Sequence, residues 1–495
     1  MDGEACLSGP LRESTGMETE KMVKSPMKKD AYLKKFQDRR EWYERVQRDP
    51  ARFKYHIQPP MGWLNDPNGL CQKDGVYHIY FQYCPFYPEL GSIFWGHMTT
   101  RDFIHFEEQE PAVYSDTPWD CNGPYSGSAF EKDGTLCFFY TGNVRYEGDY
   151  NYVTDGREQN TILITSEDGY HFSEKQLLMT NDDYPADMSR HVRDPQVFRE
   201  NGRYFMIQGA RSAEDEGSVL LFESGDLIHW SYKLRFQPEK PFGYMWECPN
   251  YLKIGEQRFL ITCPQGVPRD GIEFANVYQC GWFPLDYDFE GEEYKLGDFH
   301  SLDRGFDFYA PQVFRDESGR WILLGWMAVP DSGYEEPTLA NGWIHAMTIP
   351  RELYVNGFGL LCQKPLKELE SLRKEKVCGR LEEGLDRETP PCFELNLLME
   401  KTEEFEMKLR ESVKLTYRCG VLQLDVTECG IGRTVRSLKV SRLHGLRIFS
   451  DTLSLEIFVN DGEDVFTSRI YDSMENLRIW TAAGEIRGIW EYYLL

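Results

Sequence analysis

Three acidic residues of this 495-residue chain stand in short, similar contexts that could carry acid–base chemistry. Asp66 lies in "NDPNG", Asp194 in "RDP" and Glu247 in "WECPN", so a proline follows each within two residues. Carboxyl groups that share one site can divide catalytic work, because one acts ionised and another protonated. Asn, Asp, Pro and Gly are also the residues that tight turns select. The wider pattern must therefore decide between a turn and a site.

A repeated hairpin pattern surrounds these residues. Each copy has a small or acidic residue, then Pro or Gly, an apolar residue or two, a polar turn with Gly, and an apolar strand. The copies begin at Asp66, Ser126, Asp194, Cys248 and Ala310, which are 60, 68, 54 and 62 residues apart. Two copies share "PQVFR". Five hairpins spaced by about the length of a four-stranded sheet predict a five-bladed β-propeller.

The repeat predicts that the acidic residues converge. Equivalent positions of the innermost strands face the central channel of a propeller. Asp66 and Asp194 share one repeat position, and Glu247 lies one residue before it, so three carboxyl groups should meet at one end of the channel. Like charges placed together cost free energy. Glycoside hydrolysis would explain that cost, because one carboxylate attacks or stabilises the sugar carbon while a protonated carboxyl group donates to the leaving oxygen.

Aromatic residues make up 14 % of the chain and occur in clusters such as "YHIYFQY", which favours strands. Some of them flank the acidic motifs, where their rings could stack on a sugar and lower the local dielectric. Those expected at the mouth of the site are Trp63, Phe94, Trp95, Tyr125 and Trp246.

Composition argues against several other functions. The formal net charge of −26 disfavours a nucleic-acid or anionic-membrane surface and leaves a small sugar as the expected partner. The sequence has no CxxC, HExxH, GxSxG, P-loop or complete GxGxxG motif, so we expect no metal and no cofactor. It has no apolar stretch long enough to span a bilayer and no signal core, which predicts a cytoplasmic protein. The sequence does not predict the oligomeric state.

Four segments are predicted along the chain. Residues 1–29 are polar and lack periodicity, as in a flexible leader, and residues 30–50 have the composition of one packed helix. Residues 51–366 hold the repeats of the propeller. Residues 367–495 consist of short alternating runs such as "VLQLDVTE" and "SLEIFVNDG", which predict a β-sandwich. The fold class is therefore all-β, with a short N-terminal helix.

Several motifs also resemble glycoside hydrolase family 32, the invertases or β-fructofuranosidases. The resemblance runs in order from about Tyr55 to the C-terminus. The motifs that carry it are "WLNDPNG" (63–69), "FQYCP" (81–85), "FWGHMTT" (94–100), "YSGSA" (125–129), "RDP" (193–195), "WECPN" (246–250) and "EIFVNDGEDVFTSR" (456–469).

The resemblance implies a five-bladed propeller joined to a C-terminal sandwich that cleaves terminal β-D-fructofuranosides, such as sucrose, with retention. It implies that Asp66 is the nucleophile, Glu247 the acid/base, and Asp194 a stabiliser that hydrogen-bonds the fructosyl hydroxyls. Cys248 either sets the environment of Glu247 or is a small buried thiol. The fructose subsite would be lined by Asn65, Gln82, Trp95, Ser126 and Arg193, with Trp63 and Tyr125 beside it. Arg193 is expected to hold Asp194 ionised through its opposite charge.

Three alternatives to this activity stay open at this point. A fructosyltransferase would use the same fold to pass fructose to a second sugar, a catalytically inactive propeller would only bind glycans, and an inverting enzyme would need a wider carboxyl separation. Within the hydrolase reading, the leaving group could be glucose, glucose 6-phosphate or another fructosyl unit.

Overall fold

The computed structural model of the protein describes residues 27–88, 93–474, 477–481 and 486–495. The predicted leader falls almost entirely outside these residues. Where a single helix is predicted for residues 30–50, there are two short ones, α1 (Lys29–Asp38) and α2 (Arg40–Gln47), with non-helical dihedral angles at Arg39 between them. The break lets Tyr32 of α1 and Val46 of α2 join the same apolar cluster.

Five sheets follow in chain order, and the first strand of each is innermost; their successive strands are antiparallel. Blade 1 contains β1 (Gly62–Lys73), β2 (Val76–Cys84), β3 (Phe94–Thr100) and β4 (Phe106–Val113). Blade 2 contains β5 (Pro124–Lys132), β6 (Thr135–Arg145), β7 (Arg157–Ser166) and β8 (Gln176–Met179). Blade 3 contains β9 (Met188–Glu200), β10 (Arg203–Ser212), β11 (Gly217–Ser224) and β12 (Ser231–Phe236).

Blade 4 contains β13 (Met245–Ile254), β14 (Gln257–Gln265), β15 (Gly281–Asp286), β16 (Lys295–Leu296) and β17 (His300–Ser301). Blade 5 contains β18 (Tyr309–Arg315), β19 (Trp321–Trp326), β21 (Arg351–Val355) and β22 (Leu361–Pro365), with β20 (Trp343–Ile344) between β19 and β21 in the chain. β20 leaves its own blade and pairs in parallel with β1. The innermost strands contact one another in order, and β18 contacts β1, so the five blades form a closed ring.

Buried amide side chains fasten neighbouring blades at the channel. Gln196, Asn250 and Gln312 share one repeat position, two residues after the residue that begins each copy. Gln196 accepts from the backbone N–H of Tyr251 in blade 4 (2.6 Å), and Asn250 exchanges hydrogen bonds with the backbone of β18. Gln312 accepts from the N–H of Leu70 in blade 1 (2.7 Å). Satisfied amides in a buried ring therefore hold the innermost strands in register.

The remaining strands form two six-stranded antiparallel sheets that enclose a second apolar core. One sheet consists of β23 (Lys376–Arg380), β25 (Phe393–Lys401), β30 (Gly445–Asp451), β31 (Ser454–Val459), β32 (Asp464–Arg469) and β34 (Arg487–Leu494). The other consists of β24 (Leu385–Thr389), β26 (Phe405–Leu409), β27 (Val413–Arg418), β28 (Val421–Asp425), β29 (Val435–Lys439) and β33 (Leu477–Thr481). This is the predicted β-sandwich.

The sandwich is joined to the propeller by buried ion pairs. Arg351 of β21 lies 2.6 Å from Glu456 of β31, and both side chains are fully buried. Arg433 lies 2.8 Å from Asp307, which is also fully buried. A buried charge that loses its partner costs several kcal/mol, so these pairs fix the relative position of the two domains.

Two further observations concern membrane-spanning helices and disulfides. No helix among the described residues is long and apolar enough to cross a membrane. The cysteines of the described part form no disulfide.

Candidate active site

An irregularity occurs at the same point of every innermost strand. The register shifts between Leu64 and Pro67 in β1, and corresponding shifts occur in the pairing of β5, β9, β13 and β18. A bulge of this kind places two residues of one strand opposite one of its partner and redirects side chains. Here it turns consecutive side chains into one cavity of about 500 Å³. These side chains are Asn65, Asp66, Tyr125, Ser126, Arg193, Asp194, Glu247, Cys248 and Tyr309.

The local backbone explains why most of the repeats have a proline at the bulge. In three of the strands the residue before it has a positive φ: 63° at Asp194, 47° at Cys248 and 45° at Ala310. A bulge breaks the ladder there, and proline has no N–H to leave unpaired. β5 has Gly127 instead, because a Cβ at that position would lie 2.1 Å from the carbonyl oxygen of Phe139. The motif "DP" therefore marks a change of direction in the strand, and this change directs the carboxylate into the cavity.

The acidic residues meet as the repeat predicts. The Sγ atom of Cys248 lies 3.7 Å from Oδ2 of Asp66 and 3.6 Å from Oδ2 of Asp194, so one sulfur atom contacts both carboxylates. Glu247 is the preceding residue and lines the same cavity. Asp66 and Glu247 are partly exposed to the cavity, whereas Asp194 is buried. Three carboxyl groups from blades 1, 3 and 4 thus share one site.

Asp66 is held by neutral donors. Ser126 donates to its Oδ2 (2.5 Å), and Asn65 donates from Nδ2 to its Oδ1 (3.0 Å). Gln82 orients both donors, since its Nε2 donates to Ser126 (2.9 Å) and its Oε1 accepts from Asn65 (3.1 Å). Burial raises the pKa of the Asp66 carboxyl group, and the two hydrogen bonds oppose that rise. The arrangement leaves an oriented carboxylate to which no cationic side chain of the described residues donates a hydrogen bond.

Glu247 has a different environment. Arg193 donates to its Oε1 from Nε (3.1 Å) and Nη2 (2.6 Å), while Gln265 and Tyr309 each donate to Oε2 at 2.7 Å. Burial raises the pKa of Tyr309 well above its usual value, so the phenol stays a donor. The two partly exposed carboxylates therefore have different surroundings, because neutral donors alone hydrogen-bond Asp66 whereas a guanidinium group and two neutral donors hydrogen-bond Glu247.

Arg193 acts on Asp194 in the expected direction, but burial outweighs its effect. The guanidinium group donates to Glu247 instead, and burial raises the pKa of Asp194 to about 7 although Arg193 lowers it. The N–H of Cys248 donates to Asp194 Oδ2 (2.9 Å) and also favours the ionised form. The effect of burial on the pKa of Asp194 is the larger one because Arg193 donates its hydrogen bonds to Glu247.

Because its pKa is raised, Asp194 destabilises the folded protein at high pH. The pKa of this carboxyl group is about 7 in the folded protein and about 3.9 in the unfolded chain. Its contribution to the stability of the folded protein is therefore complete only below about pH 3.9 and is lost as the pH rises to about 7. We therefore expect Asp194→Asn to unfold about 2–4 °C higher than the wild type at pH 8, with the gain shrinking towards pH 5. Thermal unfolding followed by circular dichroism measures this; an equal loss of stability at both pH values would contradict it.

The structure brings most of the predicted sugar-binding residues to the cavity. Trp63, Asn65, Gln82, Tyr125, Ser126 and Arg193 all line it. Trp95 does not: its side chain is completely buried between blades 1 and 2, against Tyr140, and its Nε1 donates to the carbonyl oxygen of Tyr125 (3.1 Å). The expectation that Trp95 contacts the sugar is therefore corrected.

Two other aromatic residues expected at the mouth are likewise buried. Phe94 packs against Tyr32 of α1, and Trp246 stacks on Phe283 within blade 4. Sequence proximity to a site residue does not fix direction, because successive residues of a strand point to opposite faces unless a bulge intervenes.

Several cavity residues were not predicted from the sequence. Tyr309 could have been found, since it precedes Ala310 in the fifth repeat as Glu247 precedes Cys248 in the fourth. The others come from outer strands or loops, which the repeat does not place. They are Cys84, Tyr87, Ile93, Arg157, Trp326 and Pro330. Within the described residues, no group of His, Cys, Asp or Glu side chains is arranged to hold a metal ion.

This fold and site define a family. Residues 56–365 match the glycosyl hydrolases family 32 N-terminal domain, and residues 392–490 match the glycosyl hydrolases family 32 C terminal. The chain therefore belongs to glycosyl hydrolase family 32. The family resemblance of the sequence motifs is confirmed, and the protein is a glycoside hydrolase.

Individual relatives cover nearly the whole chain. The chain is 38 % identical over 467 residues to the sucrose-6-phosphate hydrolase of Bacillus subtilis (strain 168), covering 90 % of this chain and 95 % of the relative. The solved sucrose-6-phosphate hydrolase of Lactobacillus gasseri is similar with a TM-score of 0.85 and 27 % identity, over 93 % of this chain and 96 % of that one. A Bombyx mori family 32 beta-fructofuranosidase, solved as a mutant in complex with sucrose, is similar with a TM-score of 0.81 and 27 % identity, over 94 % and 99 %. The predicted propeller and sandwich are thus confirmed.

Proposed function

We propose that this glycoside hydrolase cleaves terminal β-D-fructofuranosides, sucrose among them, with retention of configuration. The observation that carries the proposal is that Asp66 and Glu247 open on one cavity while Asp194 lies buried against the same sulfur atom as Asp66. The names of the similar proteins, which are sucrose-6-phosphate hydrolases and a beta-fructofuranosidase, support fructosides as the substrates.

In the first step Asp66 attacks the anomeric carbon of the fructosyl ring. The glycosidic bond breaks, Glu247 gives its proton to the departing oxygen, and a fructosyl ester forms on Asp66. The hydrogen bonds from Ser126 and Asn65 point the attacking carboxylate, which supplies part of the rate by orientation alone.

In the second step Glu247, now ionised, takes a proton from water. The water oxygen attacks the anomeric carbon, the ester bond breaks, and fructose and the Asp66 carboxylate are released. Arg193, Gln265 and Tyr309 hold Glu247 in place for both steps. Asp194 would accept hydrogen bonds from the fructosyl hydroxyls.

Product analysis tests this function against its alternatives. A hydrolase that retains configuration should release glucose and fructose from sucrose in equal amounts, with β-fructofuranose as the first anomer seen by NMR. A fructose deficit would indicate transfer to a second sugar, α-fructofuranose would indicate inversion, and binding without any release would indicate an inactive propeller. Each of those outcomes would overturn the proposal.

The lining of the cavity includes an arginine, Arg157, that suits an anionic leaving group. Arg157 lines the cavity, and its buried Nε has no hydrogen-bond partner among the described residues. Its Nη1 lies 3.4 Å from both ring nitrogens of His191, and no carboxylate of the described residues pairs with it. Burial and the surrounding arginines, Arg193 first, lower the pKa of His191 to about 2. His191 therefore stays neutral beside Arg157.

We therefore propose that the preferred leaving sugar carries a phosphoryl group, as in sucrose 6-phosphate. A half-buried guanidinium group without a carboxylate partner among the described residues gains a charge-assisted hydrogen bond when an anion arrives, and such bonds contribute about 1.5–3 kcal/mol. Sucrose itself would bind without using that interaction. Arg157 would then distinguish the two substrates.

Replacing this guanidinium group should change specificity. We expect Arg157→Met to lower kcat/KM for sucrose 6-phosphate about 10- to 100-fold, mainly through KM, and to change that for sucrose by less than about threefold. Steady-state kinetics on both substrates measures the ratio. Arg199→Met, an exposed arginine at the far end of β9, is the matched control. Equal losses on both substrates would remove Arg157 from this role.

A further inference from the structure

A chain of contacts leads from the sandwich to the wall of the cavity. Its members are Arg469 and Tyr471 of the sandwich, Glu336 and His345 of the segment between β19 and β21, and Trp63 of β1. We call this chain the interdomain relay. The mechanism above uses Trp63 only as part of the wall, and it uses none of the other four residues.

The relay begins at Glu336, whose carboxylate is held by the sandwich. Arg469 Nη2 donates to Glu336 Oε1 (2.6 Å), Arg469 Nη1 donates to Oε2, and the Tyr471 hydroxyl donates to Oε2 (3.2 Å). Burial alone would raise the pKa of Glu336, but Arg469 lowers it far below its usual range, so the group stays ionised. Bidentate pairing of this kind fixes direction as well as distance.

His345 carries the position of Glu336 to β1. Its Nε2 lies 3.6 Å from Glu336 Oε1, and its Nδ1 lies 3.3 Å from the carbonyl oxygen of Leu64. The side chain is buried, and its backbone has a φ of 73°, which is rare for a residue other than glycine. A strained backbone persists only where its surroundings hold it, and here the surroundings are the carboxylate on one side and the active-site strand on the other.

Trp63 is the end of the relay in the cavity. The His345 ring packs edge-on against Trp63 with 4.5 Å between centroids and against Trp326 with 5.1 Å, and both tryptophans line the cavity. Trp63 Nε1 donates to Asn65 Oδ1 (2.9 Å), and Asn65 in turn donates to Asp66. A series of contacts therefore runs from the sandwich to Asp66, in which the Glu336–His345 contact of 3.6 Å is longer than a hydrogen bond.

We infer that Glu336 is a positioning residue through which the sandwich orients Trp63 and Asp66. The inference rests on the proposed function, because its effect is measured on that reaction. It gives the sandwich a role in turnover: Arg469 and Tyr471 fix Glu336, Glu336 fixes His345, and His345 fixes the ring whose N–H holds Asn65. Misplacing a reacting group by a fraction of an ångström lowers rate strongly even when binding survives.

A double-mutant cycle on kcat/KM for sucrose tests the inference. We expect Glu336→Gln to lower kcat/KM about tenfold in the wild-type background but less than about twofold in a Trp63→Phe background, because the relay already ends at the missing indole N–H. A residue that only stabilised the fold would lower kcat/KM by the same factor in both backgrounds. Additive effects would therefore overturn the inference.

A matched control separates positioning from docking of the domains. Asp464 of β32 pairs with Arg304 of the propeller at 2.7 Å across the same interface but touches none of the relay residues. Asp464→Asn should lower the unfolding temperature and leave kcat/KM within about twofold of the wild type. A tenfold loss in this control would assign the effect to the interface as a whole and overturn the inference.

Two further measurements keep the test decisive. If Glu336→Gln does not fold, Tyr471→Phe removes one hydrogen bond to Glu336 without changing a charge and should show the same dependence on Trp63 with a smaller effect. The wild type must first hydrolyse sucrose. Its failure to do so would overturn the proposed function, whereas an active wild type with additive cycles overturns only the relay.

Discussion

Replacing Asp66 with asparagine should abolish turnover while leaving the fold intact. An amide cannot form the fructosyl ester of the first step, so we expect kcat for sucrose to fall by at least about 10⁴-fold. Asparagine has nearly the same size and can still accept a hydrogen bond from Ser126. Burial raises the pKa of Asp66, so removing its charge should not destabilise the protein.

Kinetics and thermal unfolding together check this expectation. The variant should unfold within a few degrees of the wild type and retain affinity for sucrose, measured by calorimetry. Residual turnover above about 1 % of the wild type, in a preparation shown by mass spectrometry to be free of deamidated protein, would remove Asp66 from the nucleophile role.

Replacing Glu247 with glutamine should affect substrates according to their leaving group. Sucrose needs a proton on its departing oxygen, so kcat/KM for sucrose should fall about 10²- to 10⁴-fold. β-Fructofuranosyl fluoride does not need that proton, and its first step should proceed at a nearly unchanged rate. Release of fructose from Asp66 would then be slow, because the base that activates water is missing.

Azide provides the diagnostic for this variant. A small anion needs no general base, so azide should restore turnover of the fluoride and yield β-fructofuranosyl azide, whose anomeric form is read by NMR. The same addition should not rescue Asp66→Asn. An equal loss on sucrose and on the fluoride, without rescue, would show that Glu247 acts only in binding or folding.

The repeat explains why the centre of the site could be predicted from the sequence. The five innermost strands carry their bulges at equivalent positions, so aligning the repeats also aligns the side chains that point into the cavity. Asn65, Tyr125, Arg193 and Glu247 occupy the same position before the bulge, and all were predicted; Tyr309 occupies it too. Symmetry of the fold therefore carries more information here than any single motif.

Residues outside that symmetry could not be predicted in the same way. Arg157 begins the third strand of blade 2, and its position at the rim depends on the length of that strand. Trp95 stands in a motif of the family, but the packing of blade 2 against blade 1 turns it away from the cavity. The sequence also could not predict the hydrogen-bond partner of Arg193. Asp194 and Glu247 are both close to it, and only the geometry shows which one receives its hydrogen bonds.

The charge arrangement explains why the protein holds three carboxyl groups at the channel end. Burial raises the pKa of Asp66 and brings that of Asp194 to about 7, and each of these rises is made larger by the neighbouring Glu247. Carboxyl groups that interact in this way titrate as a group rather than as separate residues. The raised pKa of Asp194 means that its ionisation lowers the stability of the folded protein as the pH rises.

The account depends most directly on where the fructosyl group is attached during turnover. The Glu247→Gln variant, incubated with β-fructofuranosyl fluoride and digested at low pH, should yield one peptide containing Asp66 that is heavier by a fructosyl group, as seen by tandem mass spectrometry. A label on Asp194 or on another residue, or no labelled peptide from a variant that consumes the fluoride, would contradict the account.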